Sequence, residues 1–177
     1  STEGQALIGL SLDGVAVMPD SNNAQAFFAG KVLAPWPNRI RDGSYRFASR
    51  DFQLEGNDGL GNALHGLIFD KDASISHQDV SSVTLSTTLL GSPQYPGRLE
   101  IQTTYSLETD SLTVTHGAKN IGELQARFLG GFVSGGQVIY HIFRYFFSSP
   151  HFLVCAVEGT VLFVFFCFSV LKGVVMP

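Results

Sequence analysis

The sequence predicts an all-β fold, an antiparallel β-sandwich, over its first 127 residues. Apolar residues alternate with serine and threonine in Val83–Leu90 and again in Leu99–Leu107, which is the two-residue period of strands that bury one face. Short polar turns separate such segments. No stretch before residue 127 keeps apolar residues at helical spacing for three turns. Short strands joined by turns are typical of antiparallel sandwiches.

Two hairpins are predicted within this region. Tyr45–Phe47 and Asp51–Leu54 alternate in the same way and flank Ala48–Arg50, which we expect to be the turn. Further along, the strand that ends at Leu107 is followed by the polar residues 108–111 and then by Leu112–Thr115. The second hairpin therefore closes around residues 108–111.

Composition excludes several classes of protein. The chain has 177 residues, which fits one domain, and a net charge of −4. Its lysines and arginines are scattered, so no basic stripe predicts a nucleic-acid partner. Cys155 and Cys167 are too few and too far apart for a zinc site or a disulfide framework. Gly56–Gly61 does not match a dinucleotide-binding motif. We expect no metal and no cofactor, and the absence of a signal peptide at the N-terminus favours a cytoplasmic protein.

The composition changes abruptly near residue 128. Only three of the 26 charged residues, but ten of the 15 phenylalanines, follow residue 127. We therefore divide the chain into a partial sandwich at residues 1–128 and an apolar tail at residues 129–177. The tail has three interpretations: an end that does not belong to the evolved fold, buried or interfacial β-structure, or a membrane anchor through residues 152–171, which are long enough to span a bilayer.

One candidate binding segment is Val32–Ile40, where Trp36 lies between two prolines and precedes Asn38 and Arg39. Prolines make this segment rigid and remove amide donors. An indole face can cover the C–H groups of a sugar, and a guanidinium can donate to its hydroxyls. The alternative is a structural loop in which Arg39 pairs with a nearby acid such as Asp42.

A second candidate is His65, which lies among apolar residues in Asn62–Leu67 after a loop rich in glycine and asparagine. An isolated histidine in such a place is more often a hydrogen-bonded core residue than a ligand-binding one. From the residues alone, both interpretations remain open.

Several strings together resemble the aldose 1-epimerase family, the galactose mutarotases. The resemblance begins with FFAGKVLAPWPNRIRDGSYRF (Phe27–Phe47) and NALHGL (Asn62–Leu67). It continues through QYPG (Gln94–Gly97), TYSL (Thr104–Leu107) and LTVTH (Leu112–His116). The strings follow one another in the family's order over about residues 11–128. The resemblance implies an incomplete antiparallel β-sandwich of the galactose mutarotase type.

The resemblance also implies a function, namely the interconversion of the α and β anomers of a free aldohexose. One group takes the proton of the anomeric hydroxyl while another protonates the ring oxygen, so the ring opens and can close on either face. Arg39 matches the family's substrate-binding arginine and His65 its substrate-binding histidine, with Asn38 a further candidate. The implied partner is a small aldose, and neither a metal nor a nucleotide is required.

The family's acid and base are not found in the sequence. The family's HPYF string, whose histidine is the acid, has no counterpart after Phe128, and the distal glutamate is not matched. His141 and Glu158 stand in different contexts, so we assign no catalytic residue. We expect impaired activity, and the alternatives are a non-catalytic carbohydrate-binding remnant or a membrane-anchored fragment.

Overall fold

The computed structural model describes residues 1–12, 14–16, 18, 28–108, 112–124, 126 and 128, together with four short strands beyond them. The strands are β1 (Ser11–Leu12), β2 (Val15–Ala16), β3 (Val32–Leu33), β4 (Arg39–Ile40), β5 (Ser44–Phe47), β6 (Arg50–Gln53), β7 (Ala63–Leu64), β8 (Ser74–Gln78), β9 (Ser82–Leu89), β10 (Leu99–Leu107), β11 (Leu112–Asn120), β12 (Gly131–Ser134), β13 (Gln137–Tyr140), β14 (Cys155–Val157) and β15 (Thr160–Leu162). A single 3-10 turn, Arg41–Gly43, precedes β5.

The largest sheet has the order β11-β10-β9-β8, and every ladder within it is antiparallel. Buried residues alternate with partly exposed ones along β10, as the sequence predicts. Across the sheet, Thr103 lies opposite Leu85 on one side and His116 on the other. The prediction of an all-β antiparallel fold is confirmed for the described residues, whose strand ladders are all antiparallel.

The first predicted hairpin is present with a shorter turn than expected. β5 pairs with β6 from Ser44 opposite Gln53 to Phe47 opposite Arg50. Arg50 therefore belongs to the strand, and the expectation that it lies in the turn is wrong. Ala48 and Ser49 form the turn alone, with φ angles of 48° and 62°. Two-residue turns of this left-handed kind match the twist of paired strands.

The core gathers against the buried face of the large sheet. Its members are apolar residues from β3, β9, β10, β11 and the connecting loops, including Ile68, Leu99 and Ile101, which are at most 1% exposed. The N-terminal residues also enter the interior. Gln5 is fully buried, and its Nε2 donates to Thr87 Oγ1 at 2.9 Å and to the Ile101 carbonyl at 3.0 Å.

Four strands are described beyond residue 128. β12 pairs with β3, with Phe132 opposite Val32, and also with β13, so it shares a sheet with the first part of the chain. β14 pairs with β15 within the predicted anchor segment, residues 152–171, most of which lies outside the described residues. Among the described residues there is no helix with the length and apolar character needed to cross a membrane.

Candidate functional site

Two segments singled out in the sequence lie side by side. β4 pairs antiparallel with β7, so Arg39 lies opposite Leu64. The His65 backbone N–H then donates to the Asn38 carbonyl at 3.2 Å. Opposite residues of such a pair have Cα atoms about 4.5–5.5 Å apart. The structure therefore brings Asn38, Arg39 and His65 together at one end of this short ladder.

The chain makes a close crossing next to His65. Gly66 forms a parallel bridge with Ala34, and the Leu67 N–H donates to the Ala34 carbonyl at 2.7 Å. His65 and Gly66 both adopt left-handed φ angles, 64° and 80°. A Cβ at position 66 would lie 2.1 Å from the Ala34 carbonyl oxygen. Only glycine permits this approach, which fixes where the His65 backbone sits relative to the proline-containing segment.

Arg39 forms an ion pair with Asp58, not with Asp42 as the structural alternative suggested. Its Nε donates to Asp58 Oδ2 at 2.9 Å. The arginine side chain is 53% exposed, while that of Asp58 is 1% exposed. No described residue bonds the two terminal nitrogens of the guanidinium. Arg39 thus keeps donors for another molecule.

Asp58 is held by its own loop. Its Oδ1 accepts the backbone N–H groups of Leu60 at 2.9 Å and Asn62 at 3.0 Å, and Oδ2 accepts Asn62 Nδ2 at 2.8 Å. The hydrogen bond from the Asn62 side chain is the largest effect lowering the pKa of this carboxyl, and the backbone donors and Arg39 lower it further. Asp58 is therefore ionised at neutral pH.

The same loop is attached to both neighbouring elements. Asn57 exchanges two hydrogen bonds with the backbone of Leu64: Nδ2 donates to the carbonyl at 3.0 Å, and Oδ1 accepts the N–H at 2.6 Å. Asn62 Oδ1 accepts the backbone N–H of Asp42 at 3.0 Å, in the 3-10 turn after β4. The loop consequently holds β7 and the end of β4 in place.

His65 is 9% exposed, and its Nδ1 lies 2.7 Å from the Pro37 carbonyl. A carbonyl oxygen only accepts, so Nδ1 must carry the proton. Burial lowers the pKa of His65 below its ordinary value; the Pro37 carbonyl opposes this shift and the charge of Arg39 adds to it. At neutral pH the ring is therefore uncharged, and Nε2 is an acceptor. The Phe28 ring meets the imidazole edge-on, with centroids 4.4 Å apart.

Trp36 does not serve as the sugar platform that its position in the sequence suggested. It is 7% exposed and belongs to the core. Its Nε1 donates to the Ala63 carbonyl at 3.2 Å, and its ring lies 6.2 Å from that of Tyr95. The interpretation of Trp36 as an exposed binding surface is wrong because the segment turns the indole inward, onto β7.

The motifs do not indicate Asn57 and Asp58 as parts of the candidate site, and they include Asn62 only as the first residue of the Asn62–Leu67 segment. The available signal was their place directly before Ala63–Leu67 in a loop of small polar residues. His141 and Glu158, considered as a displaced acid and base, lie outside the described residues. Within the described part, no three or more His, Cys, Asp or Glu side chains form a potential metal-binding group.

Comparison with known proteins decides the family. The family model described as aldose 1-epimerase matches residues 11–129, about the span of the sequence resemblance. The chain belongs to the aldose 1-epimerase family. It is also 42% identical over 101 residues to the uncharacterized protein YihR of Escherichia coli (strain K12), an alignment that covers 56% of this chain and 33% of YihR.

Solved structures of this family share the fold. A galactose 1-epimerase from Lactobacillus acidophilus superposes with a TM-score of 0.60 at 22% identity, covering 74% of this chain and 42% of that one. A GalM/aldose epimerase homologue from C. elegans superposes with a TM-score of 0.59 at 17% identity, covering 90% of this chain and 47% of the homologue. The fold is thus of the galactose mutarotase type. The chain spans a third of the curated relative and under half of these solved structures.

Proposed function

We propose that this epimerase-family chain binds a free aldohexose through Arg39 and His65, with Asn38 beside them. The observation that carries the proposal is the pairing of β4 with β7, which puts the backbone of His65 next to that of Asn38 and Arg39 and brings the imidazole within reach of the Arg39 charge. The guanidinium is exposed, and the imidazole is neutral with its Nδ1 already bonded to Pro37. One of these groups only donates and the other, through Nε2, only accepts.

A sugar hydroxyl suits this pair because each hydroxyl both donates and accepts. Arg39 can donate to one hydroxyl oxygen, or to two neighbouring ones through its two terminal nitrogens. His65 Nε2 can accept a hydrogen bond from another hydroxyl of the same sugar. The partner carbonyl of Pro37 and the edge contact with Phe28 hold the imidazole in one orientation, so little rotational freedom is lost on binding.

Anomer interconversion makes a further demand, since an acid and a base must act on the ring oxygen and the anomeric hydroxyl. A general acid or a general base typically raises the rate of such a reaction about 10²–10⁴-fold. The sequence supplies no match for the family's acid histidine or distal glutamate. The other described histidines lie in the large sheet, His77 in β8 beside Asp79 and His116 in β11 opposite Thr103. We therefore propose that this chain of 177 residues binds aldoses but interconverts their anomers slowly.

Polarimetry separates this proposal from a fully active epimerase. Freshly dissolved α-D-galactose is followed with and without the purified chain, and the expected rate is close to that of buffer alone. Equilibration far above the buffer rate would contradict slow turnover, and its loss in His141→Gln or Glu158→Gln variants would locate the acid or base.

Binding is tested separately, by saturation-transfer NMR with D-galactose and D-glucose. The variants Arg39→Gln and His65→Gln should each weaken the transfer signal strongly without abolishing it, because the other group still contacts the sugar. Matched controls are Arg46→Gln and His77→Gln, which change the same residue types at exposed positions in β5 and β8. Equal loss in the control variants, or none in the site variants, would contradict the proposed binding face.

A further inference from the structure

We propose that Asp58 is a positioning residue that fixes the Arg39 guanidinium and cancels its charge, so that the site favours neutral sugars over anionic ones. The inference rests on the proposed aldose-binding function, because it assigns the orientation and the selectivity of the same site. It concerns a residue that neither the sequence motifs nor the comparisons single out.

The geometry of the ion pair orients Arg39. Of the guanidinium nitrogens, only Nε donates to Asp58, to Oδ2 at 2.9 Å. A guanidinium is planar, so a bond at Nε sets the plane and direction of the terminal nitrogens. The anchor itself is rigid, since Asp58 accepts three further hydrogen bonds from Leu60 and Asn62. An arginine without this anchor would rotate in the unbound protein, and it would lose that rotational freedom on binding a sugar.

The charge of the pair follows from its partners. Arg39 carries one positive charge and Asp58 one negative charge in direct contact, and His65 beside them is uncharged. The 3-10 turn after β4 adds one more positive and one more negative side chain, those of the exposed residues Arg41 and Asp42. The positive charge that would attract a carboxylate or phosphate on a sugar is therefore largely cancelled at the site.

The ligand class follows from this balance. Neutral aldose hydroxyls accept from oriented N–H groups without needing a net charge. A uronate or a sugar phosphate would bring its negative charge close to the carboxylate of Asp58, and like charges at such distances repel. Removing the Asp58 charge should leave Arg39 less well oriented but unneutralised, which favours anionic sugars over neutral ones.

The experiment compares D-galactose with D-galacturonate as probes, using the full chain and Asp58→Asn. Asparagine keeps the shape and an acceptor for the backbone donors, but loses the charge. We expect the affinity for D-galactose to fall about fivefold and the ratio of galacturonate to galactose affinity to rise about fivefold. The control is Asp51→Asn, which removes the same charge from the exposed Arg46–Asp51 pair and should leave both affinities unchanged.

The same substitution made in an Arg39→Gln chain distinguishes positioning of Arg39 by Asp58 from a general effect of Asp58 on the stability of its loop. If Asp58 acts through Arg39, Asp58→Asn should change neither affinity further in an Arg39→Gln chain. An additional loss there, or an unchanged affinity ratio in the single variant, would overturn the inference while leaving aldose binding intact. Failure of the unaltered chain to bind galactose would instead refute the proposed function. Should Asp58→Asn not fold, the unaltered chain still tests the inference, since tighter binding of galacturonate than of galactose would overturn it.

Discussion

Asn57 holds the backbone of Leu64 with both ends of its side-chain amide, donating from Nδ2 at 3.0 Å and accepting at Oδ1 at 2.6 Å. The other side of β7 is paired with β4. Asn57 thus takes the place of a neighbouring strand for one residue. Through this contact the loop that carries Asp58 is tied to the strand that leads into His65.

Replacing Asn57 with alanine should destabilise the chain by about 1–3 kcal/mol, because two backbone groups of the buried Leu64 lose their partners. Asn57→Asp keeps an acceptor for the Leu64 N–H but places a second oxygen against the Leu64 carbonyl, so it should destabilise as well. Urea unfolding measures both variants. A free energy of unfolding unchanged by either substitution would show that the loop is not tied to β7 in this way.

Gly66→Ala should be far more damaging than Gly59→Ala, although both glycines have positive φ, at 80° and 74°. A Cβ at position 66 meets the Ala34 carbonyl oxygen at 2.1 Å, whereas a Cβ at position 59 has no atom within 4 Å. Gly59→Ala should lower the free energy of unfolding by about 1 kcal/mol, because alanine is strained at a positive φ. Gly66→Ala should exceed this by at least 2 kcal/mol or prevent folding. Equal costs in denaturant unfolding would contradict the close crossing.

The stability of the chain should depend on pH through His65. Its pKa is lowered in the folded state, so the unfolded state binds the proton more readily. The free energy of unfolding should therefore fall as the pH drops below 6.5, the ordinary value, and this loss should stop below the folded pKa. Urea unfolding at several pH values, with His65→Gln as the comparison, isolates the effect. A pH dependence that persists unchanged in that variant would contradict it.

Much of the fold could be predicted because the signals are local. The alternation in β9, β10 and β11 marks one buried face, and the turn residues between β5 and β6 limit the loop to a few positions. The residue types do not set the limits of that turn, since Arg50 can lie in a turn or in a strand. Its pairing opposite Phe47 depends on the partner strand.

The candidate binding residues Arg39 and His65 are indicated by their match to the family motifs, and their role stays a prediction. Trp36, Asn38 and Arg39 lie within four residues of sequence, but nothing in the residue types shows that the indole turns inward while the guanidinium remains exposed. Asp42 lies nearer to Arg39 along the chain than Asp58 does. Asp58 becomes the partner because β4 pairs with β7 and brings the loop before β7 next to Arg39.

The central claim, that a free aldose binds at Arg39 and His65, is tested most directly by the imidazole ¹⁵N resonances of the full chain during titration with D-galactose. The account predicts a protonated Nδ1 and an unprotonated Nε2 in the free chain. Galactose should shift the Nε2 resonance of His65 while that of His77 stays constant. Galactitol, the open-chain polyol with the same hydroxyl pattern, should have a much smaller effect. A His65 ring that does not respond to galactose, or that responds equally to galactitol, would contradict the account.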